Sequence, residues 1–471
     1  MPPSGPKILR RPIDLDPGRM ASRIGSWEGP ALLEGGPGLG IPGRWSILAA
    51  RPRRVFESSE GQGFRWSGGS LDLGSDRDVL EGLAVIAAEY GLGDPGDHPE
   101  SDPAPFQGGL IGYLGYDLAP SLERLPRQAA PDSRLPSVRF GLYDTFVLVD
   151  HQSGSSELWA VDLLGEGPER LEERWNHWRS DLVVPERNRP VPVLGPARPD
   201  RARPEYLEAA RKVLDYIQAG DIYQANLSQR FVARGLVDPL GLYLRLKAIS
   251  PAPFATFLAW DDLALVGSSP ELFYQSESDR IATRPIKGTR PRSLDPEEDA
   301  RLAEDLVSSM KDRAELTMIV DLERNDLGRV CQFGSVRVAE PWKVESFEEV
   351  HHLVATIEGR LRPGIGPVDV IRSVFPGGSI TGAPKIRAMQ IIDELEPNRR
   401  SAYTGAVGYL SRGGRVAFNI AIRTILVEGD RVSFQVGGGI VADSDPESEY
   451  AETLHKARGM LRALQNYREA R

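Results

Sequence analysis

A chain of 471 residues exceeds what one hydrophobic core usually supports, so two substructures or one large elaborated domain are expected. Its composition, 40% apolar and 26% charged, is that of a soluble globular protein; no apolar run approaches bilayer length and the first residues lack the apolar segment of a secretory signal, which excludes membrane insertion and points to the cytoplasm. A net charge of −10 argues against a general nucleic-acid binder, which needs a basic face, and the single cysteine, Cys331, forbids an internal disulfide.

In chain order, RWSILAA (44 to 50), GGLIGYLGYDLA (108 to 119) and YDTFVLVD (143 to 150) predict strands, with a turn-rich loop over 93 to 105. The stretch 184 to 204 repeats proline and arginine without an apolar period, which predicts a connector. Beyond it Leu207, Ala210, Val213, Leu214 and Ile217 recur at helical spacing between Pro204 and Gly220. Two further helices are expected to open alike, at Asp295-Pro296 and at Asp445-Pro446, where an N-cap acid precedes proline at the first helical position. FATFLAW, LALVGS, GRVAFNIAIRTILVE and RVSFQV predict strands between them. Strands and helices in unequal runs indicate an α+β fold rather than βαβ alternation.

Asp312 with Glu315, and Glu449 with Glu452, are acidic pairs at i,i+3, so each pair shares a helix face. Such pairs are more often solvated surface; brought together, two acidic faces would repel unless a divalent cation such as Mg²⁺ lay between them. Lys456, four residues after Glu452, reads in isolation as half of a helix-surface ion pair. FPGGSITGAPK (375 to 385) and VGGGIVADSDP (436 to 446) are glycine-rich turns with N–H groups free for an anion, yet neither has a nucleotide-binding spacing. His351-His352 reads as a strand-edge pair, and Cys331 as filler of core or turn.

Together these stretches resemble the chorismate-binding family. The matching run includes GDIYQANLSQRF, VGSSPELF, RPIKGTRPR, KDRAELTMIVDLERNDLGRV, FPGGSITGAPKIRAMQIIDELEP, YTGAVGYL and GGGIVADSDPESEYAETLHKA, and it covers 205 to 460. Weaker similarity continues upstream through ALLEGG and GGLIGYLGYD. The resemblance implies two packed, largely antiparallel sheets with helices outside: an N-terminal part over 1–184, a linker over 185–204 and a catalytic part over 205–468. It implies Glu315 and Glu452 as direct Mg²⁺ ligands, with Asp312 and Glu449 acting through water. Lys456, Arg423, Tyr403, Ser379, Thr289 and the backbone of Gly437, Gly438 and Gly439 are the implied substrate partners. His352 matches the histidine that lies near the ring.

Chorismate carries two carboxylates, so an acidic protein must gather a metal and cations locally to bind it. Hydroxide leaves C4 poorly unless an acid protonates it, and Glu271 is assigned to that task. Water-using relatives place a lysine at the position of Gln224; glutamine is no base, which sets the isochorismate and salicylate branches aside. Relatives that aminate C2 typically read PIAGT, whereas this chain reads PIKGT. Lys287 would then attack C2 itself as hydroxide departs, and ammonia would expel it by attack at C4. Arg284 and Arg290 beside it would keep the amine neutral. With no glutaminase nucleophile in the chain, ammonia from glutamine implies a separate glutamine amidotransferase subunit. The competing readings are amination at C2, giving anthranilate, and a non-catalytic ligand-binding regulatory subunit. Leu32-Leu33-Glu34-Gly35 stands where tryptophan-inhibited relatives read LLES, which puts tryptophan feedback in doubt.

Overall fold

The computed structural model describes residues 7–36, 43–59, 63–68, 78–93, 103–183 and 193–465. Most of the loop expected over 93–105, and the first part of the linker at 185–204, lie outside them. Among the described residues no helix is long and apolar enough to cross a membrane.

Two large sheets, of 13 and 11 strands among the described residues, carry antiparallel ladders throughout and pack face to face. The α+β expectation and the two-sheet architecture are both met. Alternation along each strand builds the layers. Ile47 and Ala49 point into the core between the sheets, where they meet Phe146, Trp159, Leu258 and Val407. Leu48 and Val147 point the other way, into a second core under the helices Pro168–Val183, Pro239–Ile249 and Pro446–Gln465. A third core lies between the other sheet and the helices Val79–Glu89, Met310–Gly328 and Pro367–Val374.

Both sheets draw strands from either side of the connector. Ala31–Glu34 pairs with Phe254–Trp260 in the first, and Gly109–Leu114 with Ala406–Ser411 in the second. The two sequence halves therefore share sheets and cores.

The helix signals correspond to Arg203–Gln218, Pro296–Ser308 and Pro446–Gln465. Asp295 caps the second by accepting from the Glu297 N–H, and Asp445 accepts from the Ser448 N–H at 2.9 Å. Leu207, Ala210 and Val213 form the buried face of the first. Two expectations need correction. The single strand expected over GRVAFNIAIRTILVE is two strands, Arg415–Ile420 in one sheet and Thr424–Glu428 in the other; the chain crosses between sheets at Ala421–Arg423, where Arg423 takes a φ of 49°. Gly437–Gly439 is not a turn after a strand but part of the strand Arg431–Ile440, paired with Asn226–Ser228. Glu34, in the LLEG stretch, is buried and already engaged: Tyr243 donates to one oxygen and Lys247 to the other at 2.8 Å.

A buried ion pair ties the Gly378–Ile380 turn to the strand Gln224–Leu236. Arg400 bonds Glu396 at 2.8 Å, donates to the Ile380 carbonyl at 3.0 Å and to the Asn226 carbonyl at 2.5 Å, and its guanidinium lies 5.5 Å from the centre of the Tyr403 ring. Glu396 also accepts from the Ser228 N–H at 2.8 Å. Removing one member leaves a buried charge without its partner, so Glu396→Ala is expected to lower unfolding stability by about 3–5 kcal/mol in denaturant titration. A loss under about 1 kcal/mol would mean that the pair is incidental.

Candidate active site

The site forms where the chain passes from one sheet to the other. Strand Leu263–Ser269 belongs to the first sheet and Leu272–Glu277 to the second, with Glu271 in the crossing between them. Ala421–Arg423 crosses beside it. The Ile420 N–H donates to the Glu271 carbonyl at 3.1 Å, Ser269 Oγ to the Ile420 carbonyl at 2.6 Å, and the Ser268 N–H to the Arg423 carbonyl at 3.1 Å. The backbones of the two crossings are thereby locked together, with Glu271 opposite Ile420 and Arg423 opposite Ser268.

Glu271 is 5% exposed, and its Oε1 lacks a hydrogen-bond partner in the protein. Burial raises its pKa, with Ser379, Lys287, the Ile286 N–H and Lys456 pulling the other way. Lys287 stands in the edge strand Ile286–Pro291, next to a bulge at Gly288, whose φ is +77°. Its Nζ donates to the Ser379 carbonyl at 3.0 Å. Burial lowers its pKa; Glu271 opposes this and Lys456 adds to it. Burial thus moves acid and amine alike toward their neutral forms.

The flanking arginines do not produce this. Arg284 is held by Glu345, and Arg290 by Asp305 at 2.6 Å and Asp312 at 3.1 Å, so their charges are spent on their own partners. The second cation acting on the amine is Lys456, from the last helix.

Across the same ladder Thr289 pairs with His352, and Thr289 Oγ1 lies 2.9 Å from His352 Nδ1. His352 is 2% exposed with Nε2 unpartnered; burial, then Arg423, push its pKa down to about 3. His351 points to the opposite face, where Asp299 at 3.0 Å and Ser346 at 2.7 Å hold it. Arg423 is half-buried; loss of water around its guanidinium lowers its pKa, and Glu349 acts the other way. The Ser379 hydroxyl is buried without a partner, and so are both ends of the Gln224 amide, which lies against Gly439. Tyr403, its pKa raised by burial to about 12, packs its hydroxyl against Gly437, where an added Cβ would lie 2.9 Å away. These unpartnered polar groups are what a polar ligand would complete.

Two acidic helix faces border the cleft. Asp312 and Glu315 lie on Met310–Gly328, Glu449 and Glu452 on Pro446–Gln465. Burial raises the pKa of Glu315, and Asp312 and Glu449 add to it; burial also raises Glu449, and Glu452 adds to that. The faces therefore repel each other across the cleft. Glu449 accepts from Ser444 Oγ at 2.6 Å, and Gly438, having no side chain, admits Glu449 Oε2 to 3.1 Å and Glu452 Oε1 to 3.8 Å of where a Cβ would stand. Lys456 bonds Glu452 at 2.7 Å and the Gly437 carbonyl at 3.0 Å, which holds Glu452 ionised. Among the described residues no three acidic, histidine or cysteine side chains are gathered at metal-ligand spacing. Their chemistry, hard carboxylate oxygens with excess negative charge, nonetheless suits a small divalent cation. Sequence reasoning overlooked the Arg400–Glu396 pair, whose i,i+4 spacing was a signal, and Glu323, an acid amid the apolar residues of MIVDLERND.

The profile of the family described as chorismate binding enzyme matches residues 41–462. Aminodeoxychorismate synthase component 1 of Salmonella typhimurium is 47% identical over 370 residues, 78% of this chain and 80% of the relative. Anthranilate synthase component 1 of Thermus thermophilus is 42% identical over 433 residues, 90% of each chain. Among solved structures, anthranilate synthase component I from Streptococcus pneumoniae superposes with a TM-score of 0.77 at 33% identity, covering 90% of this chain and 93% of that one.

Because His352 titrates near pH 3 when folded and near 6.5 when unfolded, it favours the folded state fully above pH 6.5, and that contribution fades as pH falls from 6.5 toward 3. Imidazole nitrogen NMR at pH 5 is expected to show His352 neutral; an imidazolium signal for His352 at that pH would contradict the burial.

Proposed function

The chain belongs to the chorismate-binding enzymes, and from that premise we propose that it aminates chorismate at C4 to give 4-amino-4-deoxychorismate, as component I of a two-subunit enzyme. The observation that carries the reading is Lys287. Its amine is buried, driven toward the neutral form, and held at the Ser379 carbonyl beside Glu271. A neutral amine is a nucleophile, and a protonated carboxyl is an acid; the two are needed together.

The Lys287 N–C2 bond forms as both ring double bonds shift and the C4–O bond breaks, and Glu271 gives its proton so that water leaves. Ammonia then bonds to C4 as both double bonds shift back and the N–C2 bond breaks; the new C4 nitrogen gives one proton back to Glu271, and Lys287 is released as the amine. Arg423, Lys456, Ser379 and Tyr403, with the backbone of Gly437–Gly439, are assigned to the substrate carboxylates and hydroxyl, and neutral His352 with Thr289 to the ring. Gln224, which cannot activate water, supports ammonia as the nucleophile. Ammonia comes from a separate glutamine amidotransferase. Mg²⁺, held by Glu315 and Glu452 with Asp312 and Glu449 through water, would neutralise the acidic faces and anchor a substrate carboxylate.

The relatives carry both names, so amination at C2 to anthranilate is the competing reading. Purified protein given chorismate, Mg²⁺ and ammonium is expected to form 4-amino-4-deoxychorismate; fluorescent anthranilate as the main product would overturn C4 specificity. Lys287→Ala should abolish a chorismate-derived mass adduct and either slow C4 amination or divert product to anthranilate. Unchanged rate and product would remove the lysine from the mechanism. Glu271→Gln should lower kcat by about 10²–10⁴, read in the same assay. Glu449→Gln should raise the Mg²⁺ requirement by about 10–100-fold, and an unaltered Mg²⁺ titration would take Glu449 out of the metal site.

A further inference from the structure

The group that holds the Lys287 amine is a main-chain carbonyl, that of Ser379, at 3.0 Å. A carbonyl has no rotamer of its own, so the direction of the amine is set by whatever fixes the turn Gly378–Ile380. The next carbonyl, that of Ile380, accepts from Arg400 Nη1 at 3.0 Å, and the one after it, that of Thr381, accepts from the Asn226 N–H at 2.8 Å. Arg400 Nη2 closes the loop by donating to the Asn226 carbonyl at 2.5 Å. Asn226 in turn pairs with Gly439 in the ladder. Hydrogen bonds and one covalent step, from Ile380 to Ser379, therefore run without a gap from Arg400 to Lys287.

Arg400 is shut away from any ligand, since its side chain is 1% exposed and that of Glu396 3%. Glu396 holds it by two bonds, from Nε at 2.9 Å and from Nη2 at 2.8 Å. Stability alone does not call for such a pair, because well-packed apolar side chains of similar volume often serve a core as well. What they cannot supply is direction. The guanidinium is a rigid planar fork of N–H donors, and here all three of its nitrogens are engaged, with Glu396, Ile380 and Asn226 as acceptors. Its central carbon lies over the rings of Tyr116 and Tyr403, 4.9 and 5.5 Å from their centres.

We propose that Arg400 is a positioning residue of the reaction: its fork fixes the Ser379 carbonyl that aims the Lys287 amine, and it acts only through that carbonyl. This rests on Lys287 being the nucleophile. Misplacing a reacting group by about 1 Å costs on the order of 10²-fold in rate, so the amine depends on directed bonds that a bare charge at position 400 cannot make.

Arg400→Lys tests this, because lysine keeps the positive charge beside Glu396 and lacks the fork. With chorismate and Mg²⁺ but no ammonium, the chorismate-derived adduct on Lys287 is followed by quenching and mass spectrometry over a single turnover. Its rate constant should fall about 10–100-fold in the variant. With ammonium added, kcat should fall likewise, while KM for chorismate and the Mg²⁺ requirement stay native. A merely structural role would lower the amplitude of the adduct, which counts working sites, and leave the rate constant of the remaining molecules untouched. A native rate constant, with or without lost amplitude, would therefore overturn the proposal. So would failure of Arg400→Lys to fold, which would make the side chain structural. The functional reading fails separately: native protein that forms no adduct, or Lys287→Ala with native rate and product, would remove the nucleophile and this proposal with it, whereas an adduct in native protein that Arg400→Lys leaves unslowed defeats the proposal alone.

Discussion

The chemistry of this protein depends on one constraint: two stretches of chain cross side by side between packed sheets and are locked by their own backbone hydrogen bonds. Where Ile420 donates to Glu271 and Ser268 to Arg423, an acid and a cation are fixed inside a region that two sheets have already dried. Desolvation then does to both what solvent would have prevented. It favours the uncharged form of each, and no flexible loop is needed to hold them.

That drying explains how opposite ionisable groups coexist without collapsing into an ion pair. Glu271 and Lys287 pull each other toward charge, while burial pulls each toward neutrality. His352 adds an imidazole that burial keeps uncharged. At the border of the cleft the acidic faces of two helices are accompanied by Lys456, so that a protein of net charge −10 still presents a cation to an anionic ligand.

Local signals were read well wherever the physics was local. Asp295 and Asp445 cap helices at the places their sequence implied, and Leu207, Ala210 and Val213 mark a buried helical face. The errors share a cause. GRVAFNIAIRTILVE is rich in strand-forming residues on both sides of Arg423 and holds no proline or interior glycine, so its composition does not show that the chain turns the corner between sheets there. Gly437–Gly439 carries the composition of a turn but lies flat in a ladder. Arg284 and Arg290 are neighbours of Lys287 in sequence, yet each is drawn off by a carboxylate from a distant segment.

The sequence by itself determined the α+β class, the helix starts, the alternating strand faces and the residue types available to the site, because propensity, capping and periodicity act over a few residues. Only the tertiary structure decided which of those residues lose water and which meet. Ionisation depends on burial and on partners contributed by segments far apart in the chain. Lys287 is drawn toward its neutral form by burial and by Lys456, from the far end of the chain.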